Sequence, residues 1–506
     1  MATPLSLALA TLSGVLYFSG FVGFGIHPLI WICFVPVLVT LRENTFKKVL
    51  LIGVVFGFAT NLGGYYWVIH LLEEFAHLNT PLAFLGYVLL CLYQGSLLAL
   101  VIAIVYKARQ HFACAPVWSL PLAFVAAEKF YPLLFPSYIG NSLYKLEIVT
   151  QIVDITGMLG LTALISLING AVYELVESRI ESRTISWKRI VIPLACLFVT
   201  CVYGSITSQH YQKVAEDSPK IKVGMVQTNL GARDKDKKRS QFIREHIEMT
   251  KELVAKTPDI DLVVWPESAY NGWVDRKKPN QLASLLKGIN VPIILGALTY
   301  EKKGAQGMAK YNSALLIDKN GRIKNIFDKV VLLAFGETIP FVETFPSLRK
   351  IKGVSVFDRG TNLQHLKVQD GISLLPMICY EDIIPSFVRD LWSSGGPATA
   401  LVNVTNDSWY GDTHEPLIHL VLASFRSIET RRFLIRSTNT GISAIVDNRG
   451  NIVKRTPQWQ KDTLVFDVPI IQTYETSLYL RFGDVLGWLS LATILWACLL
   501  IYRRRR

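Results

Sequence analysis

The sequence predicts two bodies: a polytopic α-helical membrane domain of about eight spans, and a soluble α/β domain of layered sheets and helices set in before the last span. Three observations lead there. Across 506 residues the hydrophobic share is 51% and the charged share only 18%, a balance on the membrane side of ordinary globular chains. The apolar residues fill long stretches over roughly the first two hundred positions and one more at the end. Between them, from about Ser218 to Gln472, the chain has a soluble composition with short, continuous apolar runs.

A bilayer core about 30 Å thick takes about 20 helical residues to cross. That ruler marks eight spans, at residues 4–22, 26–41, 49–69, 82–106, 116–134, 151–173, 190–207 and 484–502. The second is short and contains Pro36, so it tilts, breaks or fuses with the first, and the count is good to about one. Arg42, Lys47 and Lys48 follow span two, Lys107 and Arg109 span four, Arg179, Arg183, Lys188 and Arg189 span six, and Arg503 to Arg506 the last. The alternate loops carry Glu73 and Glu74 and little positive charge besides Lys145. By the positive-inside rule the basic loops and both termini are cytoplasmic. The expected organisation is therefore a seven-span domain over 1–209, an extracytoplasmic domain over 218–472, an eighth span over 484–502 and a basic cytoplasmic tail over 503–506. The first apolar segment lacks a basic n-region and a clear small-x-small site, so it reads as a retained span, not a cleaved signal. Glu128 and Lys129, at the end of span five, either pair with each other or meet the interface.

The net charge of +13 raises nucleic acid as a partner, but much of the surplus is the loop charge just named. The soluble part mixes signs, as in Lys235, Asp236, Lys237, Lys238 and Arg239, and has no recognisable nucleic-acid motif. A basic face beside anionic lipid head groups accounts for the charge, and no nucleic-acid partner is expected.

In the soluble segment, strand-like runs recur at Ile221–Gln227, Ile260–Trp265, Val291–Ala297, Ser313–Asp318, Ser373–Cys379, Ala398–Val404 and Ser443–Asp447, with helical periodicity at Gln241–Lys256 and Leu417–Ile435. Continuous apolar runs suit strands buried on both faces, hence a layered α/β arrangement with helices outside. Ser268–Asn280 reads as a loop carrying Tyr270 and Trp273 among basic residues. Trp273 there either dips into a membrane interface or sits on an ordinary surface loop.

Of seven cysteines, Cys33, Cys91, Cys114, Cys196, Cys201 and Cys498 fall in or beside spans, and Cys379 alone lies in the soluble segment. An extracytoplasmic domain normally pairs its thiols. A single one is either an inert buried residue or a kept nucleophile. It ends the run SLLPMICYEDI, followed at once by Tyr380 and Glu381. Two other strand ends are polar in the same way: VVWPESAY places Glu267 after a strand, and FDKVVLLAFGETIP carries Lys329 and, eight residues on, Glu337. A thiol with a pKa near 8.5 is mostly protonated at neutral pH. It needs a carboxylate to take its proton and a cation to balance the thiolate and the oxyanion that follows. Glu, Lys and Cys on three strand ends supply those groups.

WPE after a buried strand, a Lys eight residues before the Glu of FGE, and CYE after another strand together resemble the nitrilase superfamily. The resemblance implies an α-β-β-α sandwich with Glu267 as general base, Lys329 as stabiliser of the tetrahedral intermediate, Cys379 as the nucleophile that becomes a thioester, and Glu337 as a second carboxylate that holds the lysine or positions groups around it. Tyr380 and Glu381 are implied as supporting residues beside the oxyanion site. NVTNDSWYGDTHEPLIHL and RSIETRRFLIRSTNTGISAIVD resemble further segments that wall the site, and the candidate pocket residues are Asn403, Asn406 and His419 there, with Asn229 of QTNL and Trp273. Asn229 and Asn403 read equally well as satisfied buried amides.

GFATNLGGYYWV around Trp67, FPSYIGNS after span five and RFGD before the last span extend the likeness to one membrane-fused branch, the apolipoprotein N-acyltransferases. That branch implies a bacterial inner-membrane enzyme, monomeric, with its catalytic domain on the periplasmic side. It would pass an acyl chain from a phospholipid, through a thioester and by ping-pong kinetics, to the α-amine of a diacylglyceryl-modified N-terminal cysteine of an apolipoprotein. A membrane-tethered amidase or nitrilase, and a non-catalytic lipid or lipoprotein carrier, are the rival readings. The sequence departs from the branch after VQTNLGA, over Gly231–Arg239, and at Ser137, which bears on substrate accommodation. His414 and His419, with Asp407 and Asp412 near, suggest a metal, but five residues on a helix do not bring two imidazoles to one face. Neither a metal nor an organic cofactor is expected.

Overall fold

The computed structural model describes all residues except 1–2, 43, 75, 232–238, 304–306, 334–335, 340–341, 343, 346, 348–355, 474 and 506. The Lys- and Asp-rich stretch after VQTNLGA falls mostly within 232–238, outside the described residues. The chain forms two compact units, one of Met1–Ile69, Asn79–Gln209 and Ser477–Arg506, the other of His70–Leu78 and His210–Thr476.

Among the described residues, five helices are long and apolar enough to cross a membrane: Phe46–Gly64, Thr80–Phe112, Met158–Glu181 and Val485–Arg504, which lie in the first unit, and Lys188–Asp217, most of which does. Three expected spans are shorter as helices. Pro4–Gly20 has 17 residues and Pro116–Phe130 has 15, while 26–41 breaks into a 3₁₀ turn, His27–Trp31, and a short helix, Val35–Val39. The break follows the chemistry of Pro28 and Pro36, which remove backbone donors. Backbone groups freed in an apolar environment need partners, and side chains provide them. Asn169 accepts from Phe34 N and donates to Ile30 O, both at 2.9 Å, and Ser13 Oγ accepts from Val37 N at 2.9 Å. Helices Phe46–Gly64 and Thr80–Phe112 touch through glycine, where a Cβ on Gly57 would lie 1.9 Å from Gly95 O; small residues let helix backbones approach this closely.

The basic residues of three loops share one end of this unit. Arg42 pairs with Glu181, Arg109 with Glu177 at 2.8 Å, Arg183 with Glu177 and Glu174, and Arg189 with Glu174 at 2.8 Å. Glu128 and Lys129 do not pair with each other. Glu128 accepts from Ile139 N and Thr162 Oγ1, and Lys129 binds Asp484 of the RFGD segment.

In the second unit thirteen described strands form two sheets: β1 (Lys220–Gln227), β2 (Leu262–Val264), β3 (Tyr270–Asp275), β4 (Ile293–Lys302), β5 (Met308–Ile317), β6 (Ile323–Asp328), β7 (Leu366–Gln369), β8 (Ile372–Ile378), β9 (Ala400–Val404), β10 (Leu434–Ser437), β11 (Ala444–Val446), β12 (Ile452–Arg455) and β13 (Asp462–Pro469). The first sheet runs β13-β1-β2-β4-β5-β6 with β3 on β4, and the second β12-β11-β10-β9-β8-β7. The central strands are parallel, β1 with β2, β2 with β4, β8 with β9 and β9 with β10, and are buried throughout β2, β9 and β10, as parallel strands covered on both faces must be. Helix Arg239–Lys256 packs on β1 and β3, Pro385–Gly395 on β8, and Glu415–Thr430 on β10 and β11, while β1 meets β10 and β5 meets β8 across the middle. The layers are thus α-β-β-α.

Two expectations are corrected here. Ser268–Asn280 is not all loop: Tyr270–Asp275 is the edge strand β3, paired parallel to β4 with a register shift between Tyr270 and Trp273. Gly272 and the short polar residues hide its strand character. The helix expected over Leu417–Ile435 is Glu415–Thr430, closed by Arg431 in the left-handed region at φ +54. Leu434 and Ile435 belong to the buried strand β10, whose apolar pair prolongs the helical periodicity by coincidence.

Candidate active site

Glu267 lies three residues past β2, Lys329 directly follows β6, and Cys379 directly follows β8. All three are buried. Glu267 is seated by its neighbour strand: a Cβ on Gly296 of β4 would lie 2.5 Å from Glu267 Cα and 2.6 Å from Ser268 N, so only glycine admits the Glu267 backbone here. Lys329 is fixed in register, its N–H donating to Asn312 O at 2.8 Å in continuation of the β5–β6 pairing.

The charged groups converge. Lys329 Nζ is 2.8 Å from Glu337 Oε2 and 3.6 Å from Glu267 Oε1. Asn312 Nδ2 donates to both carboxylates, at 2.7 Å to Glu267 Oε1 and 2.8 Å to Glu337 Oε1. Leu333 N donates to Glu337 Oε2 at 3.0 Å. Burial opposes the lysine's charge, but Glu337 and then Glu267 hold its pKa well above the usual range. The Cys379 thiol is pushed up, first by burial and then by Glu267, with Lys329 and a hydrogen bond to Thr405 pulling the other way. Lys329 thus faces two carboxylates, and burial together with Glu267 favours the protonated thiol.

Cys379 adopts φ +52, a conformation strained for a residue with a side chain. Its turn, Cys379–Ile383, is held by Glu381, whose carboxylate accepts from Val330 N at 2.6 Å, Val331 N at 3.0 Å and Ile378 N at 2.8 Å. Glu381 thereby joins the segment after Lys329 to the strand before Cys379. Burial lifts its carboxyl to about 7 against these donors and Lys329. Tyr380 is half-buried beside it.

The remaining candidates stand in the frame around these groups. Asn403 donates to Cys379 O at 3.2 Å and accepts from Arg436 at 3.1 Å. Asn229, at φ +56, donates to Trp459 O at 3.0 Å. Asn406 accepts from Ser408 N at 3.3 Å, ahead of the turn Asp407–Tyr410. Trp273 lies on β3, 37% exposed, with Lys310 Nζ 5.5 Å over its ring; it packs on a strand and not at a loop tip. Ligand atoms of Asp407, Glu415 and His419 gather within 4.8 Å. Both His419 nitrogens are already bonded to Asp382 and Asp407, and Arg436 binds the same two carboxylates, so two of the three, Asp407 and His419, are engaged by protein groups. Asn312, Asp382 and Arg436 escaped the sequence reading. Asn312 sits mid-strand with no motif around it, and Arg436 looked like one more charge in an arginine-rich segment.

Residues 222–477 match the carbon-nitrogen hydrolase family, and residues 13–171 match the apolipoprotein N-acyltransferase N-terminal domain. The apolipoprotein N-acyltransferase of Geobacter metallireducens is 30% identical over 98% of this chain and 95% of its own length. That of Bdellovibrio bacteriovorus is 29% identical over 96% of this chain and 92% of its own. Among solved structures, a carbon-nitrogen hydrolase from Helicobacter pylori G27 aligns with 53% of this chain and 93% of its own, at 15% identity and a TM-score of 0.37.

Proposed function

We propose a reaction for a chain that belongs to the apolipoprotein N-acyltransferase family: an acyl group leaves a phospholipid, rests as a thioester on Cys379, and passes to the α-amino group of the N-terminal S-diacylglyceryl-cysteine of an apolipoprotein. The protein is a membrane protein and an N-acyltransferase with a nitrilase-like domain. The donor, the thioester and the residue roles are our reading of its site.

The unequal treatment of the two carboxylates carries that reading. Glu337 has three close partners, Lys329, Asn312 and Leu333 N, whereas Glu267 has one hydrogen bond from Asn312 and a longer contact with Lys329. Glu337 is held in place by its three partners and so serves as the anchor of the lysine, which leaves Glu267, with fewer contacts, free to act as the base. Glu267 takes the proton from Cys379 Sγ as sulfur attacks the ester carbonyl. Lys329 balances the oxyanion. When the tetrahedral intermediate collapses, Glu267 returns the proton to the departing alkoxide, and a lysophospholipid leaves the thioester behind. In the second half the α-amine attacks that thioester, Glu267 takes the amine's proton, the C–S bond breaks, and Glu267 gives the proton to the departing thiolate, so that the amide leaves with the thiol restored. Covalent exchange of this kind gives ping-pong kinetics.

We place the catalytic domain on the periplasmic side of the inner membrane, with both termini cytoplasmic and eight spans, in a monomer. The shared end of Arg42, Arg109, Arg183 and Arg189 supports the grouping of their loops on one side, the cytoplasmic one by charge. Both substrates are then held in lipid beside the enzyme, a gain in proximity. The test is intact-mass spectrometry of the purified protein with phospholipid. An acyl adduct on Cys379, discharged by a diacylated lipopeptide and only slowly by water, is expected. Rapid discharge by water would make the enzyme a hydrolase, and lipopeptide acylation undiminished in Cys379→Ala would remove the thioester.

A further inference from the structure

A second set of buried charges has no part in the reaction as written. Asp382, Asp407, His419 and Arg436 are all buried and come from four elements: the turn bearing Cys379, the turn Asp407–Tyr410, the helix Glu415–Thr430 and β10. His419 Nε2 lies 2.9 Å from Asp382 Oδ1, and Nδ1 lies 3.0 Å from Asp407 Oδ1. A neutral imidazole has one N–H, so two carboxylate acceptors assign the doubly protonated ring. Arg436 donates to the other oxygens, Asp382 Oδ2 through Nη1 and Asp407 Oδ2 through Nη2 at 3.2 Å. Two cations and two anions cancel, the condition under which buried charge is tolerated. The set then reaches the nucleophile. Arg436 Nη1 also donates to Asn403 Oδ1 at 3.1 Å, and Asn403 Nδ2 donates to Cys379 O at 3.2 Å. Cys379, at φ +52, is a residue whose backbone needs holding.

We propose that His419 is a positioning residue for acyl transfer, acting through Asp382, Arg436 and Asn403 to hold the Cys379 backbone in the conformation that presents its thiol. The proposal rests on Cys379 being the nucleophile. The groups facing the ring are Asp382, Asp407, Arg436, Glu415 on its own helix and Tyr410, whose ring meets it edge-on at 6.5 Å. Burial and Arg436 push the imidazole pKa down, but the two aspartates outweigh them and carry it to about 10. Burial raises the Glu415 carboxyl well above the usual range against the pull of His419. The ring therefore stays charged at neutral pH, and the relay loosens only as pH approaches 10.

The experiment follows adduct formation on Cys379 of the full chain in detergent, using phospholipid with labelled acyl chains in mixed micelles, per folded molecule and across pH. In the parent, the rate falls as pH rises towards 10. His419→Gln lowers kcat for adduct formation about tenfold or more, leaves KM for the phospholipid within about twofold, and removes that alkaline limb. A part in folding alone would lower the yield of folded protein and leave both rate and profile unchanged. A parent-like kcat, or an alkaline limb retained in His419→Gln, overturns the proposal. Asn403→Ser, which keeps all four charges, serves where His419→Gln does not fold. It is expected to lower kcat by a similar factor at constant KM with the limb retained, and a parent-like kcat overturns the relay. A parent that forms no Cys379 adduct overturns the reaction itself; a parent adduct with unimpaired variants overturns only the positioning role.

Discussion

Replacing Asn312 with alanine removes one amide that serves two carboxylates. The side chain is 4% exposed, and its Nδ2 lies 2.7 Å from Glu267 Oε1 and 2.8 Å from Glu337 Oε1. Hydrogen bonds to charged groups contribute about 1.5–3 kcal/mol each. Glu337 keeps Lys329 and Leu333 N after the change, so its position holds. Glu267 is left with the 3.6 Å contact to Lys329, and the proposed base loses the donor that orients it. If one such bond is lost from the transition state, about 1.5–3 kcal/mol converts to a rate loss of about 10- to 150-fold at 1.36 kcal/mol per decade. The assay is single-turnover adduct formation on Cys379, followed by intact mass with phospholipid in excess. Asn312→Asp should be worse, because it sets a third carboxylate against two, and should recover partly as pH falls and the new carboxyl takes a proton. Adduct formation at the parent rate in a folded Asn312→Ala protein would refute the reasoning.

Three further outcomes are expected. Gly296→Ala forces a Cβ onto Glu267 Cα and Ser268 N, backbone atoms that no rotamer change can clear; it should cost about 1–3 kcal/mol of stability and slow adduct formation about tenfold or more, read by melting and mass spectrometry together. Glu381→Gln replaces an acceptor of three backbone N–H groups with a carboxamide whose NH₂ faces one of them, a loss of about 1–3 kcal/mol that should lower the melting temperature; an unchanged one would sink the bracing role. His246, buried against Trp265, has its pKa lowered by burial from 6.5 to about 4. Its unfolded form binds a proton first, so the stability it contributes is present above pH 6.5 and lost as pH falls towards 4, on the order of 3 kcal/mol at most. Hydrogen exchange of β2 should weaken over that window, and His246→Leu should flatten the dependence.

Much of this was legible in local chemistry. Continuous apolar runs marked β1, β4, β8 and β9, because strands covered on both faces read as unbroken hydrophobic stretches. Glu267, Lys329 and Cys379 stood out since each is a reactive polar group where such a run stops. What stayed hidden depends on contacts between distant segments. β3 and β10 carry too little periodicity in six and four residues to compete with neighbouring loop and helix signals. Asn312 acquires its part only when β5 pairs with β6. Asp382 and His419 are 37 residues apart in the chain, and no spacing rule connects them.

The separation of these groups between two sheets has a consequence for catalysis. Glu267, Asn312 and Lys329 belong to the first sheet and its ends, while Cys379 belongs to the second. The proposed base and the proposed nucleophile therefore keep their distance only as well as the sheets keep their register. An apolar core resists separation better than sliding, because burial is not directional. Hydrogen bonds resist sliding, and several cross this layer: Ser437 Oγ to Val264 O at 3.2 Å, Thr438 Oγ1 to Gln227 Oε1 at 3.2 Å, Thr228 Oγ1 with Asn439 Oδ1 at 2.9 Å, and Glu381 to Val330 N and Val331 N. Buried polar contacts of this kind specify one arrangement among those the core alone would accept. The bracing by Glu381 lies nearest the thiol, so weakening it should impair acylation more than an equal loss of stability at Ser437 or Thr228.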